Sequence, residues 1–285
     1  MSVAKGSRPQ AGSFPGRDAF PAFFEALEAR HRADLSFAEI RRALQALSSL
    51  YVERRERMRS GAAFDGRGKR AAFALYYGPL HFLLVREIVR ALGPARPTPP
   101  RILDLGCGTG TAGAAWALER EPAAEVVGVD LNGWAVTEAR WTARRLGLGG
   151  RATRGDAVSE RLPRAPAGIL AAFTVNELDL ESRAHLLPRL LDAASAGSAV
   201  LIVEPLSRRV SPWWPEWADA VGSAGGRQDE WRFPATLPRT LALLGKASGL
   251  DNRQLTGRSL ALGLDCPALT GERGEAGARS RRPSR

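Results

Sequence analysis

Apolar positions in the first hundred residues recur at helical spacing. Residues 18–31 read as a short helix. Ser36 and Glu39 then stand in the S-x-x-E order of a capping box, where each side chain satisfies a free backbone N–H of the other. Phe37, Ile40, Leu44, Leu47 and Tyr51 follow at intervals of three and four, which predicts a helix to about residue 59. Gly61, Gly66 and Gly68 interrupt it. A third apolar helix is predicted from about residue 71 to 92, and the run GPARPTPP (93–100) ends it, because proline cannot donate to a helix and clashes with the preceding turn.

Beyond that run the period changes. RILDL (101–105), EVVGVD (125–130), RATRGD (151–156), AGILAAFTV (167–175) and SAVLIVEP (198–205) read as strands, the third as an edge strand. Helices are predicted between them at 111–120, 134–146 and 182–194. Such alternation builds a parallel α/β sheet with helices on both faces. An aromatic insertion, SRRVSPWWPEWADAV, comes next, then a helix at 236–247 and a late strand or hairpin at 253–263. The chain divides into a basic tail (1–17), an N-terminal helical region (18–96), the α/β domain (97–265) and a second basic tail (266–285).

Composition narrows the classes. A chain of 285 residues accommodates one large α/β domain with a helical extension. No stretch reaches the ~20 apolar residues that span a bilayer, and the N-terminus lacks the apolar core of a secretory leader. The acid-free start fits the tip of an organelle-targeting peptide, but a disordered basic tail is the preferred reading, with the protein in the cytoplasm. Two cysteines, Cys107 and Cys266, cannot build a four-thiolate metal site and do not suggest a disulfide-stapled secreted fold, so no metal is expected. The formal charge is +11. Segment 51–70 is strongly basic; it is either a phosphate-attracting patch or the solvated face of a helix.

The most specific signal is Asp104-Leu-Gly106-Cys107-Gly108-Thr-Gly110, directly after an apolar strand and before a helix. Glycines let the backbone turn sharply and approach a ligand. The following helix presents free N–H groups and a positive dipole end to a carboxylate. Asp104 can accept from an ammonium, which suits the methionine part of S-adenosylmethionine. Asp130, 26 residues on, ends the second strand, where a carboxylate can take both ribose hydroxyls. Asp156, after the third strand, is placed to accept from the adenine amino group, with the N–H of Ala157 facing a ring nitrogen. Leu131 and Phe173 complete the candidate lining, and Cys107 is read as a small residue packing under the donor. The rival is a dinucleotide site: Gly108-Thr-Gly110-Thr-Ala-Gly113 matches G-x-G-x-x-G, but its first glycine does not close on an apolar strand.

Asn176 and Glu177 follow the fourth strand, on the path by which a methyl group would leave. They are the candidate catalytic pair, Asn176 orienting an acceptor and Glu177 assisting; the alternative is a helix cap and a solvent-facing carboxylate. Glu204-Pro205 with Trp213, Trp214 and Trp217 reads either as an acceptor platform or as a helix clamped to the sheet. Tyr76, Tyr77 and His81 either cover the donor or pack in the core. His31 and His185 receive no role. Neither cysteine is placed as a nucleophile for pyrimidine C5 chemistry.

The chain resembles class I S-adenosylmethionine-dependent methyltransferases, and among them the methyltransferase-like proteins of small-subunit ribosome assembly, mitochondrial and bacterial. The resemblance covers roughly residues 35–263. It rests on RAAFALYYGPLHFLLVREIVRAL, LDLGCGTGTA, NEL, LIVEP and EWRFPATLPRT. It implies a Rossmann-like sheet, S-adenosyl-L-methionine as cofactor, and ribosomal RNA or the small ribosomal subunit as acceptor or partner. That family carries cluster-binding cysteines near its C-terminal segment; here Arg232 stands where one is expected and the others are missing. Alternatives are a non-catalytic donor-binding assembly factor and a small-molecule methyltransferase.

Overall fold

The computed structural model describes residues 19–53, 64–95, 97–207, 211–250 and 253–264. Both tails, most of the basic stretch within segment 51–70 and the predicted end of the second helix lie outside the described residues.

Seven strands form one sheet in the order β3-β2-β1-β4-β5-β7-β6. They are β1 (Arg101–Leu105), β2 (Glu125–Asp130), β3 (Gly150–Arg154), β4 (Gly168–Ala172), β5 (Ala199–Glu204), β6 (Arg227–Pro234) and β7 (Gln254–Leu262). β1 to β5 are parallel; β7 runs antiparallel to β5 and pairs with β6 as an antiparallel hairpin. The fold is the expected Rossmann-like sheet with an N-terminal helical extension. The order reverses beside β1, so the ends of β1, β2 and β4 border the crevice where such sheets bind ligands.

Alternate strand residues serve opposite faces. Ile102, Leu170, Leu201 and Val203 pack with Phe23, Leu27, Ile40, Leu44, Ile88 and Trp116. Leu103, Leu105, Ile169, Val200 and Ile202 pack with Leu186, Leu190, Trp213 and Trp217. The first face is covered by α1 (Phe20–Arg32), α2 (Phe37–Glu53), α3 (Gly66–Ala72), α4 (Gly78–Leu92), α5 (Thr111–Leu118) and α9 (Arg239–Ala247), the second by α7 (Leu180–Ser195) and α8 (Trp214–Ser223). Helix α6 (Gly133–Arg145) lies beside β2 and β3. Across the proline-rich run at 93–100 the core is continuous, and Ala95 bridges to Leu264.

The capping box forms as read: Ser36 N–H donates to Glu39 Oε2 at 2.9 Å and Glu39 N–H to Ser36 Oγ at 3.3 Å. His31 has a structural partner. Glu138 on α6, almost fully buried, accepts from Arg30 Nη2 at 2.7 Å and lies 3.1 Å from His31 Nε2. Burial opposes the charge of Glu138, but these hydrogen bonds outweigh it and hold its pKa below the usual value. The pair pins α1 to α6.

Three expectations change. β6 lies where no strand was predicted, and the helix expected from residue 236 begins at Arg239. The fourth strand stops at Ala172, and Val175–Glu177 form a 3₁₀ turn. The third helix starts earlier, at Gly66, and contains a π-helical turn at Phe73–Tyr77.

Candidate functional site

The loop after β1 is fixed by steric fit. Gly106 has φ +68°, and a Cβ there would stand 2.5 Å from the Thr174 side chain. A Cβ on Gly113 would meet Asp104 Oδ2 at 2.6 Å. Gly110, at φ +74°, precedes α5 and lies against Ala139. Backbone must therefore pass where side chains would clash.

Asp104 is 1 % exposed, and its Oδ2 accepts from Gly113 N–H at 3.0 Å. Burial raises its pKa to about 7, against the pull of that hydrogen bond. Asp104 braces the start of α5 from below. Asp130 ends β2 and ties the loop to the next helix: Oδ2 accepts from Gly108 N–H at 2.9 Å and Oδ1 from Asn132 N–H at 2.8 Å. Burial raises its pKa, and the two N–H groups counter it. Asn132 caps α6 through Trp134 N–H. Beside Asp130, Leu131 is 62 % exposed, an apolar side chain held at the mouth of the crevice.

Cys107 turns its side chain away from the loop's open side. Its thiol packs with Val136, Ala139 and Ala152, against Gly128, so it lies behind the loop, and burial pushes the thiol well above its ordinary pKa. Asp156 is exposed, and its Oδ1 accepts from Val158 N–H at 3.0 Å, closing a turn. Ala157 is buried in the sheet core.

At the end of β4 the backbone is strained. Phe173 has φ +59°, the one non-glycine residue with positive φ among those described, a conformation that costs about 1–3 kcal/mol and concentrates at functional sites. Its ring stacks on His81 of α4, with centroids 3.8 Å apart and planes 13° from parallel. Burial drives the His81 pKa down to about 3, so the imidazole stays neutral. The π-helical turn brings Phe73 to the loop at Gly108, while Gly78 faces Thr109. Helix α4 thus roofs the loop, and sequence alone gave only a choice between cover and core for this segment. A π turn leaves no signature in apolar spacing.

Asn176 and Glu177 differ in kind. Asn176 N–H donates to Glu204 Oε1 at 3.0 Å, its Nδ2 donates to Glu204 Oε2 at 2.6 Å, and its Oδ1 accepts from Trp213 Nε1 at 2.9 Å. Both polar atoms of its side chain are engaged, so Asn176 ties the turn after β4 to β5 and to Trp213. Glu204 is fully buried at the end of β5; burial lifts its pKa to about 8, the Asn176 N–H opposes this, and the charge of Glu177 adds to it. Trp213, Trp214 and Trp217 are buried against the sheet, and Trp214 stacks under the Arg258 guanidinium at 4.0 Å. They clamp α8 and form no open platform. Glu177 is exposed, yet surrounding protein raises its pKa to about 7, with the charge of Asp130 contributing. Among the described residues, no cluster of three metal-ligating side chains occurs, and no helix is long and apolar enough to cross a membrane.

Residues 102–196 match the family model described as a methyltransferase domain. Trans-aconitate 2-methyltransferase of Pseudomonas aeruginosa is 36 % identical over 141 residues, 49 % of this chain and 48 % of that protein. The Pseudomonas paraeruginosa protein of the same name is 38 % identical over 128 residues, 45 % of this chain and 44 % of its own length. The chain therefore spans about half the length of the curated relatives it matches. A putative O-methyltransferase structure from Nostoc punctiforme covers 77 % of this chain and 71 % of its own, at 17 % identity and a TM-score of 0.49. With the loop, its flanking carboxylates and the sheet order in place, the segment from β1 through α7 is similar to a methyltransferase domain, for which S-adenosyl-L-methionine is the implied donor.

Proposed function

We propose that this chain transfers a methyl group from S-adenosyl-L-methionine to a small molecule bearing an O–H or N–H nucleophile, with Glu177 as the base. The residues fit the donor. Glycine backbone at 106–110 and the N-terminus of α5 would receive its carboxylate, Asp130 would hold the ribose, and the exposed Leu131 would line the adenine. The donor supplies an electrophilic methyl on its sulfonium. Phe173 and His81 wall the crevice without charge, and Glu177 takes the acceptor's proton.

The observation that carries this reading is Glu177: exposed in the turn after β4 within reach of the Asp130 charge, with a pKa about 7 that suits a base near neutral pH. Asp130 and Glu177 place negative charge at this end of the sheet, which favours a neutral or cationic acceptor over a polyanion such as RNA. Two pieces that suggested a ribosomal role, NEL and EP, are joined by hydrogen bonds between Asn176 and Glu204, which gives them a structural reason that needs no RNA.

The test is incubation of the protein and its Glu177→Gln variant with methyl-labelled donor and whole-cell extract, then separation of the label into small molecules, RNA and protein. Label in the small-molecule fraction, rising with pH through about 7 and lost in the variant while donor affinity holds, is expected. Label in RNA returns the ribosomal reading. Calorimetry showing donor binding with no label transferred returns the non-catalytic one, and uptake of a nicotinamide nucleotide instead of the donor refutes both.

A further inference from the structure

Outside the crevice, a cavity of about 320 Å³ lies between helix α6 and strands β2 and β3. Its origin is in the residue sizes. Gly110, Gly128, Ala139, Ala143 and Ala152 meet across this layer. Side chains so small cannot fill the gap between a helix and a sheet, and packed interiors rarely keep voids much larger than a water molecule. None of Asp130, Leu131, Phe173 and Glu177 lines this space, so it is separate from the crevice.

The rim has a different character. Arg140 and Arg144 of α6 and Arg151 of β3 line the cavity and are exposed, and no carboxylate lines it. Arg140 Nε is held by the Ala152 carbonyl at 2.8 Å. The side chains of Arg144 and Arg151 have no hydrogen-bond or ion-pair partner among the described residues. An apolar trough of this volume falls within the range of small-molecule sites, about 300–1,000 Å³. Unneutralised guanidiniums at its edge select for an anion, because they offer planar forks to a carboxylate.

We propose that this cavity binds a small amphipathic carboxylate, its apolar chain lying along the glycine and alanine walls and its carboxylate held by Arg144 and Arg151. The inner wall includes Cys107 and Gly110 of the loop after β1, so the occupant abuts that loop from behind.

Titration calorimetry of the full chain with octanoate tests this, with octan-1-ol as the uncharged control. Octanoate is expected to bind one site saturably, and octanol at least about tenfold more weakly for want of the charge-assisted contact. The double variant Arg144→Gln, Arg151→Gln, both positions exposed, is expected to keep its thermal midpoint and lose about tenfold or more in octanoate affinity. Ala143→Leu keeps both guanidiniums, fills the trough and is expected to lose a similar factor. No saturable heat up to millimolar octanoate overturns the proposal. So does weakening by the arginine variant alone, which marks surface ion pairing, or displacement of octanoate by S-adenosylhomocysteine, which places it in the crevice.

Discussion

Replacing Asn176 by Ala tests the reading of the turn after β4. The side chain donates to Glu204 at 2.6 Å and accepts from the Trp213 indole at 2.9 Å. Its removal leaves Glu204, 0 % exposed, with only the backbone N–H groups of Val175 and Asn176 from this turn, and leaves a buried indole N–H unpaired. An orphaned buried donor costs about 1–3 kcal/mol, and a lost hydrogen bond to a carboxyl about 1–2 kcal/mol more. The sum is about 3 kcal/mol, or roughly 6–12 °C in Tm for a domain of this size. Denaturant unfolding of the wild type, Asn176→Ala, Trp213→Phe and the double variant gives both the cost and the coupling. Residues sharing one hydrogen bond should couple by about 0.5–3 kcal/mol. If Asn176→Ala unfolds within about 0.5 kcal/mol of the wild type, or the two substitutions add without coupling, the clamp does not hold this turn.

Three further outcomes follow from the same geometry. The folded pKa of Glu204, about 8, lies above its unfolded value, so the folded state holds this proton more tightly; its stabilisation is complete below the unfolded pKa near 4.5 and fades as pH rises through about 8. Unfolding measured from pH 5 to 9 should therefore show stability falling with pH in the wild type, with a shallower fall in Glu204→Gln. Asp130→Ala removes the acceptor of the Gly108 and Asn132 N–H groups as well as the ribose partner; S-adenosylhomocysteine affinity by calorimetry should drop about tenfold or more, and unchanged affinity refutes the assignment. Gly106→Ala places a Cβ 2.5 Å from Thr174 at a positive φ, which should cost about 1–3 kcal/mol in denaturant unfolding; a neutral result would mean the loop adopts another path.

Much of this protein is written in local order along the chain. Three properties made the domain legible: strands buried on both faces read as short apolar runs, capping pairs such as Ser36–Glu39 announce helix starts, and glycines packed between a strand and a helix announce a loop that side chains would block. Asp104 and Asp130 stood out in the sequence because each sits in the last residues of its strand. Tertiary structure decided what depends on partners far along the chain. β6 was missed because RQDEWRFP alternates without a clean apolar face, and its pairing strand, β7, comes later in sequence. The roles of Asn176 and Glu177 were open in the sequence, where they are neighbours. Glu204 and Trp213, 28 and 37 residues from Asn176, turn it inward, while the crevice beside Asp130 leaves Glu177 facing out with its proton affinity raised. Periodicity records which way a side chain points along its own element; the charges and hydrogen bonds that set its chemistry come from strands that only folding brings alongside.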